Sequence, residues 1–408
     1  MGRAAALPAD IHKLVGSQAL SKLGDNFTEV ALALFVLKIT QHNVAALGVV
    51  LAMIYAPRLT MGWMVAGFID RVPKRAALVT ADLMRALLVA SIPIVASYGW
   101  TIAAVFLIYA FAMVYQPILR GVQPQIAGSP EVNARSAARQ ETYYAVVDIG
   151  AYIAAGGIIF FAGLAPAFWL DALTYVGSAL FIVGIRMSPA VWQHVERRAS
   201  GFWRDIAEGF RFIQNHSVVF GLTVVSAGMF LAVGAINTLL APLSRSLWHV
   251  SSAHYVWLLL AIALGSLISG IIIERGRLAE RFSARTLVTV GFALTGVGFG
   301  AVDLAPTWTV GLGCMFVAGL GNAVYGSFLM VWVQRVTPTA VRARVLALRG
   351  VGNGLGGALG SVLMGWAASA LGVVWAVIAA FLLWCILALS VLALGAFKAM
   401  AAEETAAM

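Results

Sequence analysis

The chain has 408 residues, of which 61% are hydrophobic and only 11% charged, and its mean hydropathy is +0.91. Soluble domains are about a quarter charged, so the composition excludes a soluble globular protein and predicts a polytopic membrane protein. The formal net charge of +10 does not suggest a nucleic-acid partner, because the basic residues occupy short gaps between apolar runs.

Twelve apolar runs follow one another, near 14–38, 44–67, 77–97, 101–119, 139–161, 165–187, 217–241, 253–273, 286–304, 308–332, 346–370 and 373–397. Each is long enough, at about 1.5 Å per residue, to approach or span a hydrocarbon core of about 30 Å. Met1 to Pro8 is short and no separate apolar segment precedes the first run, so no cleavable signal peptide is expected. The gaps alternate in charge. Asp70-Arg71-Val-Pro-Lys74-Arg75, the stretch with Arg120, Arg135 and Arg139, and the later gaps around Arg197, Arg281 and Arg342 are basic. The intervening gaps, such as Gly163-Leu-Ala-Pro166 and Asp303-Leu-Ala-Pro306, are almost free of positive charge, with Lys38 and Arg245 as exceptions. The bias of lysine and arginine toward the cytoplasm puts both termini and the basic gaps inside.

The longest polar stretch, Met187 to Ser217, divides the chain. Within it, apolar residues at 202, 203, 206, 210 and 213 recur at helical spacing, which predicts an amphipathic helix on the cytoplasmic surface. The expected organisation is a bundle over 1–187, a linker over 188–216 and a second bundle over 217–408. The gaps after runs four and ten share a Gln–Pro–Arg texture, Gln125 through Arg135 and Gln334 through Arg344. Repeated six-helix halves are a common design of secondary transporters. The fold class is therefore an all-α membrane protein of twelve transmembrane helices in two pseudo-symmetric bundles.

The first run holds Lys22, Asp25, Asn26 and Glu29 in its middle. Spacings of three, four and seven put Lys22, Asp25 and Glu29 on one helical face. Each charge at mid-membrane costs roughly 2.5–3.5 kcal/mol on insertion scales, so such residues face a protein interior or a wet cavity. Counting along the runs puts Arg58 and Asp148 at similar depth, and the expected site is a proton-coupling or substrate-lining cluster of Lys22, Asp25, Asn26, Glu29, Arg58 and Asp148. The alternative is that Arg58 and Lys22 merely neutralise the acids. Asp82 and Arg85, one turn apart in run three, read as a local structural ion pair, and Asp171 and Asp303 as solvated or capping residues at outer helix ends. Gln116, Asn237, Asn322, Tyr325 and Gln334 are further polar residues of the runs.

The glycines of Gly350-Val-Gly352-Asn-Gly354-Leu-Gly356-Gly357-Ala-Leu-Gly360, and Gly150, Gly156 and Gly157, suggest close helix packing. No Walker lysine and serine follow them, so a phosphate loop is not supported. Cys314 and Cys385 lie in apolar runs, and the 6 histidines show no ligand spacing. No metal and no cofactor are expected. A polytopic membrane enzyme would gather catalytic His, Asp or Ser at one membrane face, and no such group is evident, so the chain is not expected to be an enzyme.

Gly67-Phe-Ile-Asp70-Arg71-Val-Pro-Lys74-Arg75 resembles the loop signature of the major facilitator superfamily. Ser21-Lys22-Leu23-Gly24-Asp25 is similar to the first-helix motif of its third drug:proton antiporter family, which includes macrolide, multidrug and enterobactin exporters. Ala81-Asp82-Leu-Met-Arg85, Ala207-Glu208-Gly209-Phe210-Arg211-Phe212 and Val341-Arg342-Ala-Arg344-Val345 also look like that group. Glu29, Arg58 and the stretch Asp148-Ile-Gly150 depart from its pattern. The Gly24-Asp25-Asn26 triplet also looks like lysophospholipid transporters and, less closely, ferroportin-type iron exporters. The resemblance implies a proton-coupled exporter of hydrophobic or amphipathic small molecules in a bacterial inner membrane, working as a monomer. It implies that Gly67, Asp70, Arg71 and Arg75 form a conformational latch. Export of a siderophore, a lysophospholipid or a metal ion through Asp25 and Asn26 is the alternative.

Overall fold

The structure, a computed structural model, describes residues 9–60, 73–113, 115–127, 130–185, 202–276 and 281–393. These residues are almost entirely helical: α1 (Ala9–Ile39), α2 (Val44–Thr60), α3 (Lys74–Val95), α4 (Tyr98–Ala112), α5 (Tyr115–Ala127), α6 (Pro130–Ala162), α7 (Ala165–Val183), α8 (Phe202–Asn215), α9 (Ser217–Trp248), α10 (Tyr255–Gly276), α11 (Ala284–Gly300), α12 (Trp308–Val336), α13 (Thr339–Leu371) and α14 (Val373–Ala393). Among the described residues, 8 helices are long and apolar enough to cross a membrane, and Val44–Thr60, Tyr98–Ala112 and Val146–Ala162 are shorter apolar stretches. Run four contains the end of α4, at Ala112, and the start of α5, at Tyr115, ahead of Pro117. A proline near a helix start removes only a donor that has no intrahelical partner there. Large apolar side chains point outward, among them Phe160 at 80%, Phe161 at 87% and Trp366 at 63% exposure. Such surfaces are stable when hydrocarbon covers them.

The chain divides into two compact units, residues 1–39 with 60–198, and residues 40–59 with 199–408. In the first, α7 packs along α1 and α3, and α6 along α1. Its apolar core joins Ile11, Leu14 and Val15 of α1 to Leu78 of α3, Ile118 and Val122 of α5, and Ile182. Arg75 donates to the carbonyls of Val183 and Ile185, and Lys13 to that of Gly184, so two cations satisfy the free carbonyls at the end of α7.

In the second unit α9 runs along α13, and α12 packs on α10 and α11. Small residues permit this closeness: a Cβ added at Gly356 or Gly360 would strike the carbonyls of Ala227 or Leu231 on α9. Helices in lipid gain no hydrophobic drive toward each other, so backbone approach through small residues supplies the packing. The expected glycine packing of α13 is thus present. At Gly150 and Gly157 an added Cβ meets nothing within 4 Å. Phe292, Tyr325 and Trp384 form an aromatic core with ring centres 4.9–5.6 Å apart, and Tyr325 donates to Asn322 at 2.6 Å. Residues 40–59 join this unit because α2 meets α13: the Ala45 amide donates to Ser369 Oγ at 2.9 Å, and Gly357 leaves room for the Tyr55 ring. The amphipathic helix is α8. Its Ile213 is buried with Val219 and Val345, while Phe210 faces outward at 53% exposure.

Candidate functional site

The polar residues of α1 fall on two adjacent stripes. Ser21, Asp25 and Thr28 recur at i, i+4 and i+7 and meet α3 and α7. Lys22 and Asn26 are turned toward α6, and Glu29 lies a further turn along. The sequence puts Lys22, Asp25 and Glu29 on one face. In the structure, Lys22 and Asp25 have different partners.

On the first stripe Arg85 is the hub. Its Nη2 donates to Asp25 Oδ1 at 2.7 Å and lies 2.7 Å from the Tyr175 hydroxyl. Its Nη1 donates to Ser21 Oγ at 3.3 Å. The guanidinium stacks 4.1 Å from the centre of the Tyr175 ring, a cation–π contact strengthened by exclusion of water. The Tyr175 hydroxyl itself donates to Asp25. Asp82 lies farther off, at 3.9 Å from Nη1, and accepts instead from the Tyr115 hydroxyl. The local ion pair expected for Asp82 and Arg85 is therefore the weaker of the two that Arg85 makes; the shorter one crosses from α3 to α1. Spacing along one helix shows only i, i+3 neighbours, which is why the sequence reading missed Arg85.

Asp171 is also a correction. It lies in α7 with no exposed surface, neither solvated nor capping a helix end. It accepts from the Thr28 and Thr174 hydroxyls. Gly24 makes this possible, since a Cβ there would collide with Thr174 Oγ1 and Asp171 Oδ1. The pair Gly24-Asp25 thus has a physical meaning: the glycine admits an α7 carboxyl against α1, and the next residue meets Arg85.

On the second stripe Asn26 Nδ2 donates to Asp148 Oδ1 at 2.6 Å, and Lys22 Nζ lies 3.3 Å from the same oxygen. Asn26 is fully buried, whereas the side chains of Lys22 and Asp148 keep 37% and 31% exposure. Asp25 keeps 36%, against 5% for its partner Arg85. The site is thus a dry hub with carboxyls at its accessible edge. The first unit brings together Lys22, Asp25, Asn26 and Asp148, with Glu29 on the same helix. Arg58 belongs to the second unit, where its guanidinium carbon is 5.8 Å from the Tyr55 ring centre. Gly67, Asp70 and Arg71 lie outside the described residues; Arg75 holds the end of α7 as described above.

Two carboxyl–cation pairs lie at this accessible edge, Asp25 with Arg85 and Asp148 with Lys22. Among the described residues no group of three or more His, Cys, Asp or Glu side chains is arranged to hold a metal ion.

Residues 229–406 match the family model described as Major Facilitator Superfamily. Over 216 residues the chain is 25% identical to the "Enterobactin exporter EntS" of Citrobacter koseri, covering 53% of this chain and 49% of that protein. It is 26% identical over the same length to the protein of that name from Escherichia coli O139:H28, again covering 49% of it. The chain thus spans about half the length of the curated relatives it matches. Among solved structures, a D323A mutant of the nucleoside transporter NupG superposes with a TM-score of 0.80 at 13% identity, covering 94% of this chain and 99% of that one. A bacterial homologue of the lysosomal transporter Spinster gives 0.77 at 15% identity, covering 97% and 98%. A bacterial homologue of the iron transporter ferroportin gives 0.73 at 14% identity, covering 94% and 100%. At these identities the structural likeness concerns the fold.

Proposed function

We propose that this chain is a major facilitator superfamily transporter, a proton-coupled exporter of amphipathic small molecules that crosses a bacterial inner membrane twelve times with both termini cytoplasmic. The observation that carries the reading is the pair of partly exposed carboxyls held by cations from neighbouring helices, Asp25 by Arg85 and Asp148 by Lys22. A carboxyl whose partner is a shared cation changes its proton affinity when a helix moves and the cation goes elsewhere. Asp25 fits that role: it is half-exposed, and its charge is balanced by Arg85 across α1 and α3. Asp148 is placed similarly, its Oδ1 taking both Lys22 Nζ and the Asn26 amide. One proton moving inward across about 100 mV releases roughly 2.3 kcal/mol, and a pH gradient adds to it. Alternating access then needs only two states that differ in proton and substrate affinity. Gly67, Asp70, Arg71 and Arg75 would stabilise one of those states as a latch.

The relatives named for enterobactin export favour a second reading of the cargo, a siderophore, by the same mechanism. The test is transport by the purified full chain in proteoliposomes, with and without an imposed pH gradient. Asp25→Asn is expected to keep counterflow exchange, which needs no net proton movement, and to lose most gradient-driven accumulation. Full pH-driven accumulation in both Asp25→Asn and Asp148→Asn would overturn proton coupling at this site.

A further inference from the structure

The second unit holds a buried charge that its own packing does not explain. Arg349 lies in α13, inside the membrane-crossing stretch Arg344–Leu371, and is only 7% exposed. Its Nε donates to Ser226 Oγ at 2.8 Å, and its Nη1 lies 3.1 Å from Met330 Sδ. Ser226 in turn donates to Asn353 Oδ1 at 2.7 Å, one turn along α13. Both acceptors of Arg349 are neutral, and a thioether is a weak one. Among the described residues it forms no ion pair, although its neighbour Arg344 is paired with Glu208 at 2.9 Å. A guanidinium has five N–H donors in a planar fork and stays charged at every pH a protein meets. It cannot relieve its burial by losing a proton, as a carboxyl or a lysine can. An intramembrane cation without a carboxylate is a functional site by default.

We propose that Arg349, set by Ser226 and Asn353, binds an oxyanion on the transported compound. The cargo class is then an apolar body bearing a carboxylate, sulfonate, phosphate or ionised phenol, which the planar fork can grip with two parallel hydrogen bonds. This rests on the reading of the chain as an exporter of amphipathic compounds and narrows it to anions.

The test compares two probes with one scaffold, 1-anilinonaphthalene-8-sulfonate and the neutral N-phenyl-1-naphthylamine. Equilibrium binding is measured to the full chain in phosphatidylcholine nanodiscs, corrected with empty discs. The readout is the ratio of the two affinities. Arg349→Gln is expected to lower the sulfonate preference about tenfold, and Arg349→Lys, which lacks the planar fork, to keep only part of it. Asn353→Asp sets a carboxylate beside the guanidinium and is expected to abolish the preference with the arginine still present, which decides the matter if Arg349→Gln does not fold. An unchanged ratio in the folded variants, or a wild-type chain with no preference for the sulfonate, overturns the proposal. Loss of the wild-type preference when phosphatidylglycerol replaces phosphatidylcholine assigns the site to a lipid headgroup and overturns the cargo role. No gradient is applied, so a failure of proton coupling leaves this readout untouched.

Discussion

Gly24 and Asp171 form one structural unit although 147 residues separate them in the chain. Thr28 and Thr174 hold the Asp171 carboxyl in place, so it has little freedom to yield to a new methyl group. Overpacking of this kind costs typically about 1–3 kcal/mol, and Gly24→Ala should lower the melting temperature of the purified protein by several degrees. Asp171→Asn should be milder. The carboxyl forms no ion pair among the described residues, and an amide oxygen can still accept from Thr28. A melting temperature close to wild type for Asp171→Asn, beside a clear loss for Gly24→Ala, is the expected pattern. A collapse of Asp171→Asn would show that the folded state needs the ionised form. Arg85 differs again: its removal takes the ion pair from Asp25 and empties the hub in one step, so its loss is not a measure of any one contact.

At the level of elements, α8 shows which contacts attach a surface helix. Two features bind it to α13. One is the Glu208–Arg344 pair at 2.9 Å, with side chains 39% and 33% exposed. The other is the apolar seat of Ile213 against Val219 and Val345, beside the close approach of Gly209 to Arg344 and Leu348. Exposed ion pairs contribute about 0–1 kcal/mol, whereas truncating a buried isoleucine to alanine costs about 2–5 kcal/mol. Ile213→Ala should therefore destabilise the protein more than Glu208→Gln in thermal unfolding. The reverse order would mean that the charge pair, not the apolar seat, anchors the helix. The helix pair α9 and α13 works by another rule, backbone against backbone, and tolerates no added side-chain volume at Gly356 or Gly360.

For the whole molecule, the alternation of basic and neutral gaps is the strongest statement of orientation. It predicts that Asn215, at the end of α8, and Leu304, at 85% exposure beyond α11, lie on opposite sides of the membrane. Single cysteines at these positions, in a background with Cys314 and Cys385 replaced by serine, should react with an impermeant thiol reagent from the cytoplasmic and the outer side respectively. Labelling of both from the outside would sink the topology. Each compact unit carries its own buried arginine, Arg85 paired with Asp25 in the first and Arg349, with no ion pair among the described residues, in the second.

The sequence by itself determined the all-helical membrane class and the positions of most helices. Hydropathy over some twenty residues and charge in the gaps are local quantities that need no partner. It also singled out Lys22, Asp25, Asn26 and Asp148, because a charge inside an apolar run is costly wherever the helix sits. It did not show which helix faces meet, and the assignments that depend on this were decided by tertiary structure. Asp171 looked like a residue of a helix end until Gly24 was found packed against it. Arg85 looked like the partner of Asp82 until α1 brought Asp25 within 2.7 Å. Arg58 was grouped by depth with the acids, but its helix packs with the second unit. Depth along a span follows from counting residues. Which side chain it meets depends on helix rotation and neighbour choice, which packing of the whole chain sets.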